Sequence, residues 1–216
     1  MAAGQRSLWL LEQLKPGETA YNIPTLVQIK GRIDIGCVAS AIQAVRIRHM
    51  ILRTTFGMVD SVPMQFIEEK PRELAIAVVD LSLKSREEQV HQLQKLIQDQ
   101  VSRPFDLAAG PLMRANLVLT TAEDAMLLVT MHHIVADGWS MRIFAQDFGI
   151  IYDAFINSKP PSVPPLPMQF ADFAVWEQQD EHSESRLRQL RYWQDTLAGA
   201  SFHPALPVDR ASKNSV

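Results

Sequence analysis

A chain of 216 residues that is 47% hydrophobic and 21% charged is long enough for one globular domain with a sizeable core. Its formal net charge of -3 supplies no broad basic field for nucleic acid, and it holds no run of about eighteen apolar residues to span a membrane. Cys37 is the single cysteine, so no internal disulfide forms, and Glu12 interrupts the short apolar run near the N-terminus. The expectation is a cytoplasmic protein without a signal peptide, and with neither nucleic acid nor membrane as a partner.

Leu8, Trp9 and Leu11 stand among polar neighbours at helical spacing within residues 5–14, and Pro16-Gly17 closes that run as a turn. Thr25 to Lys30 alternates as a strand does. Asp34 is placed to cap a helix that reaches about His49 and buries Val38, Ile42 and Val45. A histidine at that helix end meets the negative end of the dipole, which gives His49 a structural role. Leu52 to Met58, Met64 to Ile67 and Leu74 to Val79 read as successive strands, the first two a hairpin turning at Asp60-Ser61. Ser85 and Glu88 have capping-box spacing ahead of a helix with Val90, Leu93 and Ile97 on one face, which Pro104 stops.

Leu112 to Leu119 and Met126 to Met131 flank the polar segment Thr121 to Asp124 as a long hairpin, whose second strand leads out at a sheet edge. Trp139 to Ile156 repeats Ile143, Phe144, Phe148, Ile151 and Phe155 at helical spacing, with Asp137 at its N-terminus. Pro160, Pro161, Pro164, Pro165 and Pro167 make a stiff connector, after which helical patterning resumes with a break near His182, and a polar tail from Ala211 is expected to be poorly ordered. Strands and helices in this nonrepeating order predict an α/β or α+β fold, a mixed β-sheet packed by helices.

The densest chemistry lies from Met131 to Ser140, MHHIVADGWS. An unperturbed imidazole titrates near pH 6.5, so His132 or His133 is suited to take or steer a proton. Asp137 is placed to orient a neighbouring group, and Gly138 lets a substrate atom approach the backbone closely. The spacing lacks the histidines four apart of a zinc-protease helix, and one cysteine is too few for a structural zinc site, so no metal is expected. No G-x-S-x-G turn is present to raise a serine nucleophile, and Ser140 reads instead as the start of a helix. A histidine pair at the end of a buried strand also occurs for purely structural reasons.

The pattern H-H-x-x-x-D-G followed by Trp139-Ser140 resembles the signature of condensation domains of nonribosomal peptide synthetases. Other stretches agree in the family's order. GQRSLWLLEQLKPGETAYNIP is similar to its first motif, Arg48 to Phe56 (RHMILRTTF) to its second, and Phe170 to Trp176 (FADFAVW) to the one after the histidines; Arg103 to Arg114 (RPFDLAAGPLMR) matches as well. Ser7, Met50 and Ala136 depart from the usual Arg, Glu and Ser. Such domains have about twice this length, in two similar lobes, and the later motifs have no counterpart here. The resemblance therefore implies one chloramphenicol acetyltransferase-like N-terminal lobe over residues 1–180, with 181–216 a helix and tail leading toward an absent C-terminal lobe.

The activity implied is amide formation: an acceptor aminoacyl group on one carrier protein attacks a donor thioester on another. His133 is then the acid-base or positioning group, His132 and Asp137 hold the loop, and Gly138 opens the approach. No cofactor is bound directly, because the substrates ride on the phosphopantetheine of the donor and acceptor carrier proteins. The C-terminal lobe is a further implied partner, with self-association through the uncovered face as another expectation. Alternatives are a related epimerisation or acyltransferase domain, and a noncatalytic module binding a carrier or a partner lobe. Trp139 and RHMILRTTF favour condensation.

Overall fold

In chain order the computed structural model comprises α1 (Ala3–Leu14), β1 (Asn22–Lys30), α2 (Ile35–Arg48), a short 3-10 helix (Met50–Arg53), β2 (Thr54–Val59), β3 (Val62–Ile67), β4 (Ile76–Asp80), α3 (Arg86–Val101), β5 (Met113–Leu119), β6 (Asp124–His132), α4 (Gly138–Ile156), α5 (Phe170–Asp180) and α6 (Glu184–Thr196). It describes residues 1–180 and 183–201. The chain divides into two units, Met1–Gln178 and Gln179–Val216.

In the first unit the sheet order is β1-β6-β5-β4, antiparallel except for the parallel pair β4–β5, while β2 and β3 form a separate two-stranded sheet. This is the mixed sheet packed by helices that the sequence pattern predicts. The hairpin around Thr121 to Asp124 forms, but its second strand is interior rather than at an edge. Asn22–Lys30 pairs with β6 along its whole length on one side, and β5 pairs on the other. The correction has a physical reason, since Leu127, Leu128, Val129 and Thr130 are all fully buried and a strand covered on both faces reads as an apolar run whose neighbours no local signal identifies.

Period-two alternation divides the side chains of β6 between two layers. Leu127, Val129 and Met131 join the main core with Val38, Ile42 and Val45 of α2 and Phe144, Phe148 and Ile151 of α4. On the opposite face Leu128, Thr130 and His132 are buried, and α3 packs against β1 and β6. Asn22 joins those layers by donating its side-chain amide to the carbonyls of Val101 and Arg103, at 2.7 and 3.0 Å, where α3 ends.

Local rules place the helix ends where expected. Asp34 accepts the N–H of Cys37 at 2.9 Å, Ser85 and Glu88 form the reciprocal capping box, and Asp60 and Ser61 take the positive φ of a tight hairpin turn. Three expectations change. The residues at Leu52 and Arg53 close a 3-10 turn before the strand begins at Thr54, held by Thr54 Oγ1 donating to the Met50 carbonyl at 2.8 Å. On α3, Val90 is exposed and Gln89 is buried; the Gln89 amide donates to the carbonyls of Leu81 and Thr120 at 3.0 and 2.8 Å, so a hydrogen-bonded polar group takes an inward position. His49 does end α2, but its Nε2 lies 2.7 Å from Asp147 Oδ2 on α4, an ion-pair geometry rather than a dipole contact alone.

The connector from Lys159 to Gln169 has no regular structure, as its prolines dictate. In the second unit Ser183 caps α6 by accepting the N–H of Arg186 at 3.2 Å, and Leu187, Leu190, Tyr192 and Trp193 are exposed. Helix α5 ends at Asp180 and α6 begins at Glu184; the expected break near His182 and the tail from Ala211 lie outside the described residues. Among the described residues no helix is long and apolar enough to cross a membrane.

Candidate active site

The loop Met131–Ser140 joins the end of the interior strand β6 to the start of α4, the longest helix among the described residues at 19 residues. A loop emerging between two rigid elements is held at both ends, which suits positioning of reactive groups. Its two histidines have opposite environments.

His132 is 1% exposed. Its Nδ1 accepts the N–H of Ile134 at 3.0 Å, so the ring proton sits on Nε2, which has no hydrogen-bond partner. The rings of Tyr21 and Phe105 lie 6.2 Å away, Phe105 edge-on. Burial, with a smaller contribution from His133, pushes the His132 pKa down to about 4. It is therefore neutral at physiological pH and fixes the loop. The unfolded chain binds a proton at this residue near the ordinary value of 6.5, so between that pH and about 4 the unfolded state holds the proton and the native state does not. This contribution to stability is complete above the unfolded value and is lost as pH falls through the window. We expect the wild-type chain to lose on the order of 3 kcal/mol more than a His132→Asn variant across it, measured by urea unfolding at a series of pH values. Parallel pH profiles for the two proteins would show that His132 is not held neutral by the fold.

His133 is exposed. Its backbone is nonetheless fixed, its N–H donating to the Tyr21 carbonyl at 2.8 Å. Asp137 and Gly138 are also exposed. Asp137 caps α4: its Oδ1 accepts both the N–H and the hydroxyl of Ser140, at 2.7 and 2.6 Å. Those two bonds, the hydroxyl's foremost, hold its carboxyl below the usual carboxylate range. The cap occupies the Ser140 N–H and the Met141 N–H donates to the Asp137 carbonyl at 3.0 Å, so the first-turn amides of Gly138 and Trp139 are the donors left to a ligand. Gly138 has an ordinary backbone conformation, and a Cβ built there meets nothing within 4 Å. Its missing side chain is thus not required by this fold, and any steric role belongs to a bound substrate. Beside it Trp139 is 67% exposed, with the Arg142 guanidinium 5.3 Å from its ring centroid.

Residues far apart in sequence converge on this loop. Gln5 of α1 is buried and donates to the Ile134 carbonyl at 3.0 Å, while its Oε1 accepts from the Ala2 N–H and from Gln65 Nε2 at 3.2 and 2.9 Å. The carbonyl of Leu112 accepts the His132 N–H at 3.1 Å. Arg114, which ends the same stretch, stacks 3.7 Å over Phe105, and burial lowers its pKa to about 10. Arg48 Nε and His49 Nε2 meet Asp147 of α4 at 2.8 and 2.7 Å. Gln169, next to Phe170, accepts the Met50 N–H and donates to the Arg48 carbonyl, both at 3.0 Å. Gln5, Tyr21, Phe105, Asp147 and Gln169 are site-supporting residues that sequence patterning does not single out; all but Asp147 lie in or beside the four stretches that resemble family motifs.

The condensation-domain family model matches residues 1–216. A linear gramicidin synthase of Brevibacillus parabrevis is 37% identical over 210 residues, which is 97% of this chain and 3% of that protein. The nonribosomal peptide synthetase TES of Alternaria alternata is 37% identical over 196 residues, 89% of this chain and 4% of that one. Among solved structures, the starter condensation domain of rhizomide synthetase, as a variant in complex with C8-CoA, superposes with a TM-score of 0.86 at 25% identity over 98% of this chain and 48% of its own. The X-domain seen in complex with OxyB from teicoplanin biosynthesis gives 0.77 at 30% identity, over 98% and 46%. The chain thus spans about half of these solved domains and a few per cent of the synthetases. With its histidine loop held between β6 and α4 by contacts from the first of those stretches and from Arg103 to Arg114, this chain belongs to the condensation-domain family.

Proposed function

We propose that this chain is the N-terminal lobe of a condensation domain over residues 1–180, and that with a C-terminal lobe it joins two carrier-tethered substrates through an amide bond. The acceptor's α-amine attacks the carbonyl carbon of the donor thioester. A C–N bond forms, the C–S bond breaks, and the amine's proton leaves as the donor's phosphopantetheine departs as a thiol. An α-amine has a pKa of about 8, so a useful fraction is already neutral at pH 7 and no strong base is needed. His133 holds the amine and relays its proton, His132 and Asp137 keep the loop in shape, and the Gly138 and Trp139 amides face the oxyanion that develops at the carbonyl. The observation that carries this reading is the division of labour in the loop: His132 is buried and neutral, while His133 is exposed on a backbone fixed by Tyr21.

A noncatalytic reading has one observation behind it, the 30% identical X-domain neighbour found in complex with OxyB. One experiment separates the two. The chain is mixed with a condensation C-terminal lobe and with donor and acceptor carrier proteins loaded with aminoacyl thioesters, and the acceptor carrier is analysed by mass spectrometry. We expect a dipeptidyl thioester with the lobe present and none with the chain alone. Loss of the donor only to water, with no amide even in a covalently joined two-lobe domain, would favour the binding module.

A further inference from the structure

A cavity of about 190 Å³ opens where the second half of α2, the 3-10 turn, β2 and the loops at Arg72 and Gly110 meet, and none of the residues Met131–Ser140 lines it. Three guanidinium groups face it, those of Arg46, Arg53 and Arg72. None of the three forms an ion pair among the described residues. Arg46 is only 2% exposed. Its Nη1 donates to Gln43 Oε1 and to the Arg72 carbonyl at 3.0 and 2.7 Å, while its buried Nε has no hydrogen-bond partner. Arg53 repeats the pattern, with Nη1 donating to the Glu68 carbonyl and a buried Nε that has no partner. Each of these two groups is thus anchored at one end and keeps its Nε–Nη2 edge, which can hold two oxygens of one anion in parallel. The loop carrying Arg72 is tied down as well, since Gln43 Nε2 donates to the Pro71 carbonyl at 3.2 Å. Glu68 and Glu73 also line the cavity, but both are exposed. Burial lowers the Arg46 pKa, and the charge of Glu68 opposes this without overcoming it. A guanidinium stays charged at physiological pH, so Arg46 carries a desolvation cost that a contacting anion would offset.

We propose that this cavity is a binding site for a phosphate group, held by the free edges of Arg46 and Arg53 and covered by Arg72. Three guanidiniums against two carboxylates leave an excess of positive charge in the lining, which favours an anion over a cation. The shape of the donor set selects among anions. One guanidinium saturates a planar carboxylate through a single pair of parallel bonds, whereas a tetrahedral, multiply charged oxyanion can meet groups arriving from α2, the 3-10 turn and the Arg72 loop together. Thr55, half-buried in the same wall, adds a hydroxyl. The volume is several times the ~30 Å³ that one water occupies in the liquid, so a phosphate fits either as the free ion or as the end of a larger monoester. This site stands apart from the histidine loop, and its fate in a test leaves the proposed amide formation untouched.

Calorimetric titration of the 216-residue chain with inorganic phosphate, glycerol 2-phosphate and acetate, at one ionic strength held with sodium chloride, tests the site directly. We expect both phosphates to bind at least about 10-fold more tightly than acetate, because only they can bond more than one guanidinium at once. Arg72→Gln, at an exposed position, and Arg53→Gln should each weaken phosphate binding by about 10-fold, the scale of one lost hydrogen bond to a charged group. Arg46→Met should abolish it. That residue is buried, so its variant is checked by thermal melting, and the other two variants decide the matter if it does not fold. By linkage, phosphate should also raise the melting temperature of the wild type more than that of Arg53→Gln. Tighter binding of glycerol 2-phosphate than of inorganic phosphate makes the natural ligand a phosphate ester, and the reverse order makes it the free ion. No binding of either phosphate, equal affinity for acetate, or undiminished binding in folded Arg72→Gln and Arg53→Gln overturns the proposal.

Discussion

His133→Ala in a complete domain built on this lobe is expected to slow amide formation by about 10²- to 10⁴-fold, the scale of a positioned acid-base group. The side chain is exposed, so its removal leaves no cavity, and the backbone bond from residue 133 to the Tyr21 carbonyl survives the substitution. Thermal stability should therefore stay within a few degrees of wild type, while kcat falls and KM for the loaded carriers changes little. His132→Ala should behave in the opposite way. It removes a fully buried ring packed between Tyr21 and Phe105 and frees the Ile134 N–H that its Nδ1 satisfies, so it lowers stability before it touches chemistry. Single-turnover quenched flow from a loaded donor carrier, paired with thermal melts, reads both effects. A His133 variant that keeps its fold and condenses at the wild-type rate would remove His133 from the reaction.

The features legible in the sequence are those with local causes. Helix ends at Asp34, Ser85 and Asp137 follow from side chains that reach backbone N–H groups two or three residues on, and the turn at Asp60-Ser61 and the connector after Pro160 follow from backbone preference. The histidine loop is legible because its candidate groups are contiguous. What escaped the pattern depends on partners distant in sequence. Nothing near β6 says that Asn22–Lys30 covers its other edge, and the parallel pairing of β4 with β5 depends on a crossover through α3. Gln89 and Gln5 look like surface residues of amphipathic helices, yet both are buried because carbonyls from other elements accept their amides. The 3-10 turn at Met50–Arg53, closed by Thr54 Oγ1 on the Met50 carbonyl, is also tied by Gln169, more than a hundred residues later, through the Arg48 carbonyl and the Met50 N–H. Sequence thus points to the candidate loop and leaves its supporting contacts to tertiary structure.

The largest expected loss of stability is at one of those supports. Asp147 is 7% exposed, and its Oδ2 faces both Arg48 Nε and His49 Nε2 at 2.8 and 2.7 Å. The three residues join the end of α2 to the middle of α4, and His49 also lines a cavity behind the loop. Asp147→Asn keeps the shape but removes the charge, leaving the Arg48 guanidinium, at 17% side-chain exposure, without an anion. Breaking one partner of a largely buried pair costs about 3 to 5 kcal/mol, and we expect a loss of about 3 kcal/mol by urea unfolding because neither side chain is wholly dry. A double-mutant cycle with Arg48→Met separates attraction from shape. If the ion pair is the cause, Asp147→Asn destabilises the Arg48→Met background much less than the wild type, since no guanidinium remains to be stranded. His49 stays as a partner in that background, so a residual loss is expected. Equal losses in both backgrounds would show that Asp147 acts through packing alone.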